Sequence, residues 1–137
     1  DRYTSYSVSV SKVGFKDKEI DDAFWVINGK QMSTNGNEIE TYTVQLESKR
    51  GGQLTVKVRI RVLFWFDDVS DADVRVEGPD PDDVLYGKTN SNGEAVFNNL
   101  IYDEEYKVTV SFDFWGLKTR TESITIKQGE NYLQFDF

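Results

Sequence analysis

From Leu54 to Phe66, apolar residues occupy every even position: Leu54, Val56, Val58, Ile60, Val62, Phe64 and Phe66. The odd positions begin Thr55, Lys57, Arg59, Arg61 and then become Leu63 and Trp65. Side chains of an extended chain alternate between faces, so this period reads as a long strand with one buried side. Its far end is apolar on both faces, which predicts a cover there.

The same period recurs along the chain. Ala72, Val74 and Val76 share a face, and Tyr106, Val108, Val110, Phe112 and Phe114 alternate with Lys107, Thr109, Ser111 and Asp113. Val84–Lys88 and Glu94–Phe97 flank Thr89–Gly93, whose Asn and Gly suit a turn with positive φ. Leu117–Lys127 is rich in β-branched residues, and Leu133, Phe135 and Phe137 follow the turn at Gln128–Glu130. Upstream, Tyr6, Val8 and Val10 alternate with serines, and Phe24–Ile27 is a short apolar run before Asn28-Gly29. Asn35-Gly36 is another turn signal, and Tyr42, Val44 and Leu46 lead to Gly51-Gly52, which predicts a hairpin into the Leu54 strand. Lys16–Ala23 tolerates a helix but suits a loop equally well. Many short strands at a spacing of roughly 8–12 residues predict an all-β sandwich or barrel. We expect one domain over residues 1–137, with residues 1–52 an extension that adds strands to it.

Composition narrows the chemistry. The 137 residues contain no Cys and no His. Disulfides, thiolate nucleophiles, Ser-His-Asp triads and histidine metal ligands are therefore excluded. Carboxylate pairs remain, but no phosphate-binding loop or nucleophile elbow accompanies them, so no enzyme activity is expected. The net charge is −8, and eight acids with one base lie between Asp67 and Asp83. A chain without a basic stripe is a poor partner for nucleic acid or anionic membranes. No run approaches the roughly 20 apolar residues of a membrane span. Asp1–Thr4, without an initiator Met, reads as a processed or excised start.

Three features are candidates for function. The acids Asp67, Asp68, Asp71, Asp80, Asp82, Asp83, Asp103 and Glu104 are candidate calcium ligands, because calcium takes six to eight oxygens from carboxylates and carbonyls. Successive loops of an antiparallel sandwich alternate ends, which would place the 67–72 loop with Thr89–Gly93 and the 78–83 loop with residues 103–105. The bland alternative is a solvated acidic surface, with no cofactor. Among the clustered aromatics, Trp25, Phe64, Phe66 and Phe112 are expected in the core, whereas Trp65 and Trp115 have the parity of a second surface, which could be a platform for carbohydrate. Finally, Tyr3–Ser11 carries no charge and no Pro. Edge strands are usually guarded by such residues, so this segment, through Tyr6, Val8 and Val10, is a candidate for donation to a neighbouring copy or for pairing within its own domain.

Residues 53–137, which are 85 of the 137, resemble the carboxypeptidase regulatory-like domain. Val69–Gly78 is similar to that family's loop followed by A-x-V-x-V, and Thr89–Phe97 to its T-D-x-x-G-x-a-x-F turn and strand. Asn99-Leu100 with Tyr106–Val110 is similar to n-L-x-x-G-x-Y-x-v-x-V, and Gly116 matches the Gly before its next strand. Glu104-Glu105 stands where the family has Gly before the aromatic. The resemblance implies an immunoglobulin-like, prealbumin-like antiparallel β-sandwich serving as an accessory module beside enzymes, receptors or surface proteins. A relative carries a covalent Lys–Asn cross-link between its first and last strands; Asn131 has the matching place, but Ser111-Phe112 replaces the promoting acid.

The expected function is an extracellular or cell-surface structural or adhesive subunit that self-assembles by strand donation into a filament, pilus-like fibre or surface layer. Its partner would be another copy or another surface protein, through Tyr6, Val8, Val10, Leu63, Trp65 and Trp115. The alternative is an accessory module of a larger extracellular protein that binds carbohydrate or protein.

Overall fold

The computed structural model describes residues 3–27, 30–32 and 44–137, and the chain divides into two compact units, Asp1–Ser48 and Lys49–Phe137. The described residues form strands and no helix.

In the first unit, β1 (Tyr3–Val10) pairs antiparallel with β2 (Lys18–Ile27), and β2 pairs with β3 (Lys30–Met32). The Ser/Val alternation thus finds its ladder in β2, with a register shift between Tyr6 and Val8. The segment that tolerated a helix is strand from Lys18 onward, because pairing outweighs the weak local preference of its Lys, Asp and Glu. Asn28-Gly29, Asn35-Gly36 and Tyr42 lie outside the described residues, as does the side chain of Trp25.

The second unit is a β-sandwich. One sheet has the order β10-β9-β6-β7, made of β6 (Asp73–Glu77), β7 (Val84–Lys88), β9 (Glu105–Asp113) and β10 (Leu117–Thr125). The other is built around β4 (Gly52–Val62). Along one side of β4 runs β11 (Gly129–Asp136); along the other run β8 (Glu94–Leu100) and then β5 (Trp65–Asp68). The period at Leu54 is realised as expected: Leu54, Val56, Val58 and Ile60 are buried, and each side chain contributes about 1.5–3 kcal/mol by leaving water. They meet Val74 and Val76 of β6, Tyr106, Val108, Val110 and Phe112 of β9, and Phe135 of β11 in one core.

The pairing departs from expectation in four places. The strand expected through Phe66 stops at Val62: Leu63 and Phe64 make a two-residue turn with Leu63 at φ +56°, and Trp65 returns opposite Val62. No Gly, Asn or Asp announces that turn, so local chemistry does not reveal it. The hairpin expected at Gly51-Gly52 is absent from the ladders of the described residues; Val44 and Leu46 are not in strands, and Gly52 opens β4. Thr89–Gly93 is an arch from β7 in one sheet to β8 in the other, with Gly93 at φ +71°. The sandwich is also not wholly antiparallel, because β11 runs parallel to β4 from Gly129↔Gly52 to Asp136↔Arg59. β10 ends where β4 begins, and the chain crosses to the other sheet instead of folding back, so β11 starts from the same end as β4. Asn131 braces that crossing: its side-chain amide donates to the Gln53, Lys127 and Gly129 carbonyls and accepts from the Lys127 N–H.

Candidate binding surface at one end of the sandwich

Two hairpin tips project from the same end of the second unit. The β4–β5 tip carries Leu63, Phe64 and Trp65; the β9–β10 tip carries Phe114, Trp115 and Gly116, followed by Leu117. Phe64 is 93% exposed and Trp115 96%, and Leu63, Trp65 and Leu117 are also exposed. Placing such residues in water forgoes the burial that drives folding, so tips of this composition are a candidate interaction surface.

The tips are shaped rather than frayed. Trp115 has φ +53° and Gly116 φ +119°. The Phe114 N–H donates to the Gly116 carbonyl at 3.0 Å, and the Gly116 N–H donates to Asp113 Oδ1 at 3.2 Å. The Phe114 and Trp115 rings stack with centroids 6.0 Å apart. Across the end, Arg61 Nε donates to the Leu63 carbonyl, and Trp65 Nε1 donates to Asp67 Oδ1 at 3.1 Å. The Arg59 guanidinium lies 4.5 Å from the Phe66 ring centroid, which anchors the root of β5.

Between the tips lies an open groove of about 500 Å³. Ile60, Val62, Phe112 and Phe114 give it an apolar floor, and Asp67, Asp68, Asp71, Asp73 and Asp113 line its walls. The 67–73 wall is held by Thr89, a side chain buried to 2% exposure. Its hydroxyl donates to the Val69 carbonyl at 2.6 Å and accepts from the Ala72 N–H at 2.9 Å. The Asp71 N–H donates to the Thr89 carbonyl, and the Val69 N–H to the Val58 carbonyl. Lys57 pairs with Asp68 at 2.8 Å and bonds the Asn92 carbonyl; Lys88 pairs with Asp73 at 3.0 Å, which raises the Lys88 pKa.

The opposite end is built differently. Asp83 accepts from the buried Tyr106 hydroxyl at 3.1 Å and pairs with Arg50 at 3.4 Å. The same hydroxyl accepts the Ile101 N–H at 2.8 Å. Burial pushes the Tyr106 phenol up to about 12. Asp103 pairs with Lys49, and Asp80 caps its own turn by accepting the Asp82 N–H.

The candidate calcium acids are accordingly divided. Asp67, Asp68 and Asp71 line the groove; Asp80, Asp82, Asp83, Asp103 and Glu104 belong to the other end, as the alternation of loops predicts. Among the described residues no three acids converge as a metal site. Of the candidate interface residues, Leu63, Trp65 and Trp115 come together at the groove end, whereas Tyr6, Val8 and Val10 lie on β1 in the other unit. Phe112 is in the core as expected. Phe64 and Phe66 are exposed instead, because the turn at Leu63-Phe64 removes them from the buried face of β4. Phe64 was thus missed as a surface residue, its sequence signal being the unbroken apolar run from Val62 to Phe66, and Leu117 was missed because nothing around it in the sequence marks it as exposed. No family model matches the chain, and no curated protein does.

Proposed function

We propose that the chain is a non-catalytic binding or adhesive module acting outside the cell, and that it engages its partner through the hairpin tips of the second unit. The observation that carries this reading is that Phe64 and Trp115, both almost fully exposed, stand on two tips tied by hydrogen bonds beside an open groove. Rigid exposed aromatics supply contact area at low entropic cost, and they dominate the energetics of protein interfaces. The absence of Cys and His removes thiolate nucleophiles and histidine-dependent acid–base chemistry. The resemblance of residues 53–137 to an accessory domain supports attachment to a larger extracellular protein.

The test is a Phe64→Ser, Trp115→Ser double variant beside the wild type, on glycan arrays and in pull-downs from extracellular fractions. Partners retained by the wild type and lost by a folded variant are the expected outcome. Identical profiles for the two proteins would overturn the assignment of the tips.

One observation favours self-assembly as a second reading. Among the described residues β1 is the outer strand of its three-stranded sheet, and Tyr3–Ser11 has no charge to discourage a further strand. A second copy, or a surface protein, would then add a strand alongside β1. Light scattering over a concentration series, with and without residues 1–13, tests it. Growth of polymers only when those residues are present supports assembly, and a monomer at all concentrations refutes it.

A further inference from the structure

The groove between the tips is acidic in its walls and apolar in its floor, and this combination selects a partner. Asp67, Asp71 and Asp113 form no ion pair among the described residues: Lys57 pairs with Asp68, and Lys88 pairs with Asp73 and feels Asp71 only at longer range. No basic side chain lines the groove among the described residues. Three carboxylates of one sign around an apolar floor make a field that attracts cations and repels anionic lipid headgroups. The floor of Ile60, Val62, Phe112 and Phe114 suits a hydrocarbon stem; beside it Trp65 hydrogen-bonds the lining residue Asp67 and Trp115 stacks on the lining residue Phe114. Arginine and lysine have this form: an apolar stem that covers apolar surface and a charged head that seeks carboxylates or the face of an aromatic ring.

We infer that the groove docks a cationic segment of a protein partner, with an arginine or lysine stem on the apolar floor and its head among Asp67, Asp71 and Asp113. The inference rests on the tips being a binding surface, and it specifies the partner's chemistry. The volume of about 500 Å³ accommodates one or two such side chains, and Trp65 and Trp115 beside it cover the neighbouring residues of the segment.

Fluorescein-labelled octapeptides that alternate leucine with arginine, serine or glutamate, titrated into the full chain and read by anisotropy, test this. The arginine peptide should bind best, and its affinity should fall about tenfold between about 0.01 M and about 0.15 M salt. The Asp67→Asn, Asp71→Asn variant should weaken it about five- to tenfold, and Trp115→Ser by a similar factor, with melting temperatures unchanged because all three side chains are exposed. Equal binding of the serine and arginine peptides, lost in Trp115→Ser, would refute the cationic partner while leaving the tips a binding surface. Preference for the glutamate peptide would refute it too. Binding of phosphatidylcholine vesicles in place of any peptide, lost in Trp115→Ser, would make the tips a lipid anchor and overturn the inference. Arginine-peptide binding indifferent to both variants would overturn the inference and the binding surface together.

Discussion

Replacing Tyr106 by Phe removes a single oxygen that bridges a buried backbone amide and a carboxylate. The side chain is fully buried, and its hydroxyl both accepts from the Ile101 N–H and donates to Asp83. Ile101 is itself fully buried, so its N–H would lose an acceptor with no water to replace it, at about 1–3 kcal/mol. Asp83, whose side chain is 12% exposed, would keep Arg50 and lose its phenol donor. A hydrogen bond to a charged group is worth about 1.5–3 kcal/mol, and the relief of not burying a hydroxyl offsets part of the sum. We expect a net loss of about 2–3 kcal/mol, which lowers the melting temperature of a domain of this size by roughly 10–20 °C. Thermal unfolding by circular dichroism measures the whole effect, and hydrogen exchange at the Ile101 amide locates it. The variant also has a pH signature. Burial raises the Tyr106 phenol to about 12, so the folded state holds this proton more tightly than the unfolded chain, which releases it near pH 10. The resulting stability is complete below about pH 10 and declines as pH rises toward about 12; Tyr106→Phe should flatten that decline. A loss below about 0.5 kcal/mol, with Ile101 still protected, would refute the reasoning that this hydroxyl is a structural bridge.

Other perturbations probe separate parts of the fold. Gly93→Ala should cost about 2–3 kcal/mol in urea denaturation, because Gly93 has φ +71° and a Cβ there would lie 2.5 Å from the Val58 carbonyl oxygen. Asp136 accepts two bonds from Arg59, at 2.8 and 2.9 Å, and this contact holds its carboxyl below the ordinary range. The stability it adds is present above the unfolded carboxylate pKa of about 3.9 and is lost as pH falls below it. Asp136→Asn should therefore flatten the acid limb of a stability profile, and an unchanged limb would place the acid sensitivity elsewhere. Trp115→Ser should leave the melting temperature within error, since a ring 96% exposed contributes little to folding; a large drop would mean that the ring is packed.

Where a residue is compelled by the count of apolar side chains on one face, sequence and structure agree. Leu54 to Ile60, Val74 and Val76, and Tyr106 to Phe112 alternate because an extended chain has two faces, and the core takes the apolar one. Gly93 was legible for a similar local reason, since few residues other than Gly or Asn adopt positive φ readily.

The rest needed partners distant in sequence. Leu63 and Phe64 turn the chain although nothing in their own chemistry favours it, and the ladder of β5 on β4 fixes where the turn falls. That turn also sends Phe64 to solvent. The parallel course of β11, the crossing of Thr89–Gly93 between sheets, and the meeting of the two tips around one acidic groove are likewise matters of pairing. The sequence alone determined which side of each core strand is apolar, because alternation is a property of the local backbone. Tertiary structure alone decided which strands become neighbours and which aromatics stay in water, because register and sheet order depend on the cooperative burial of the whole core.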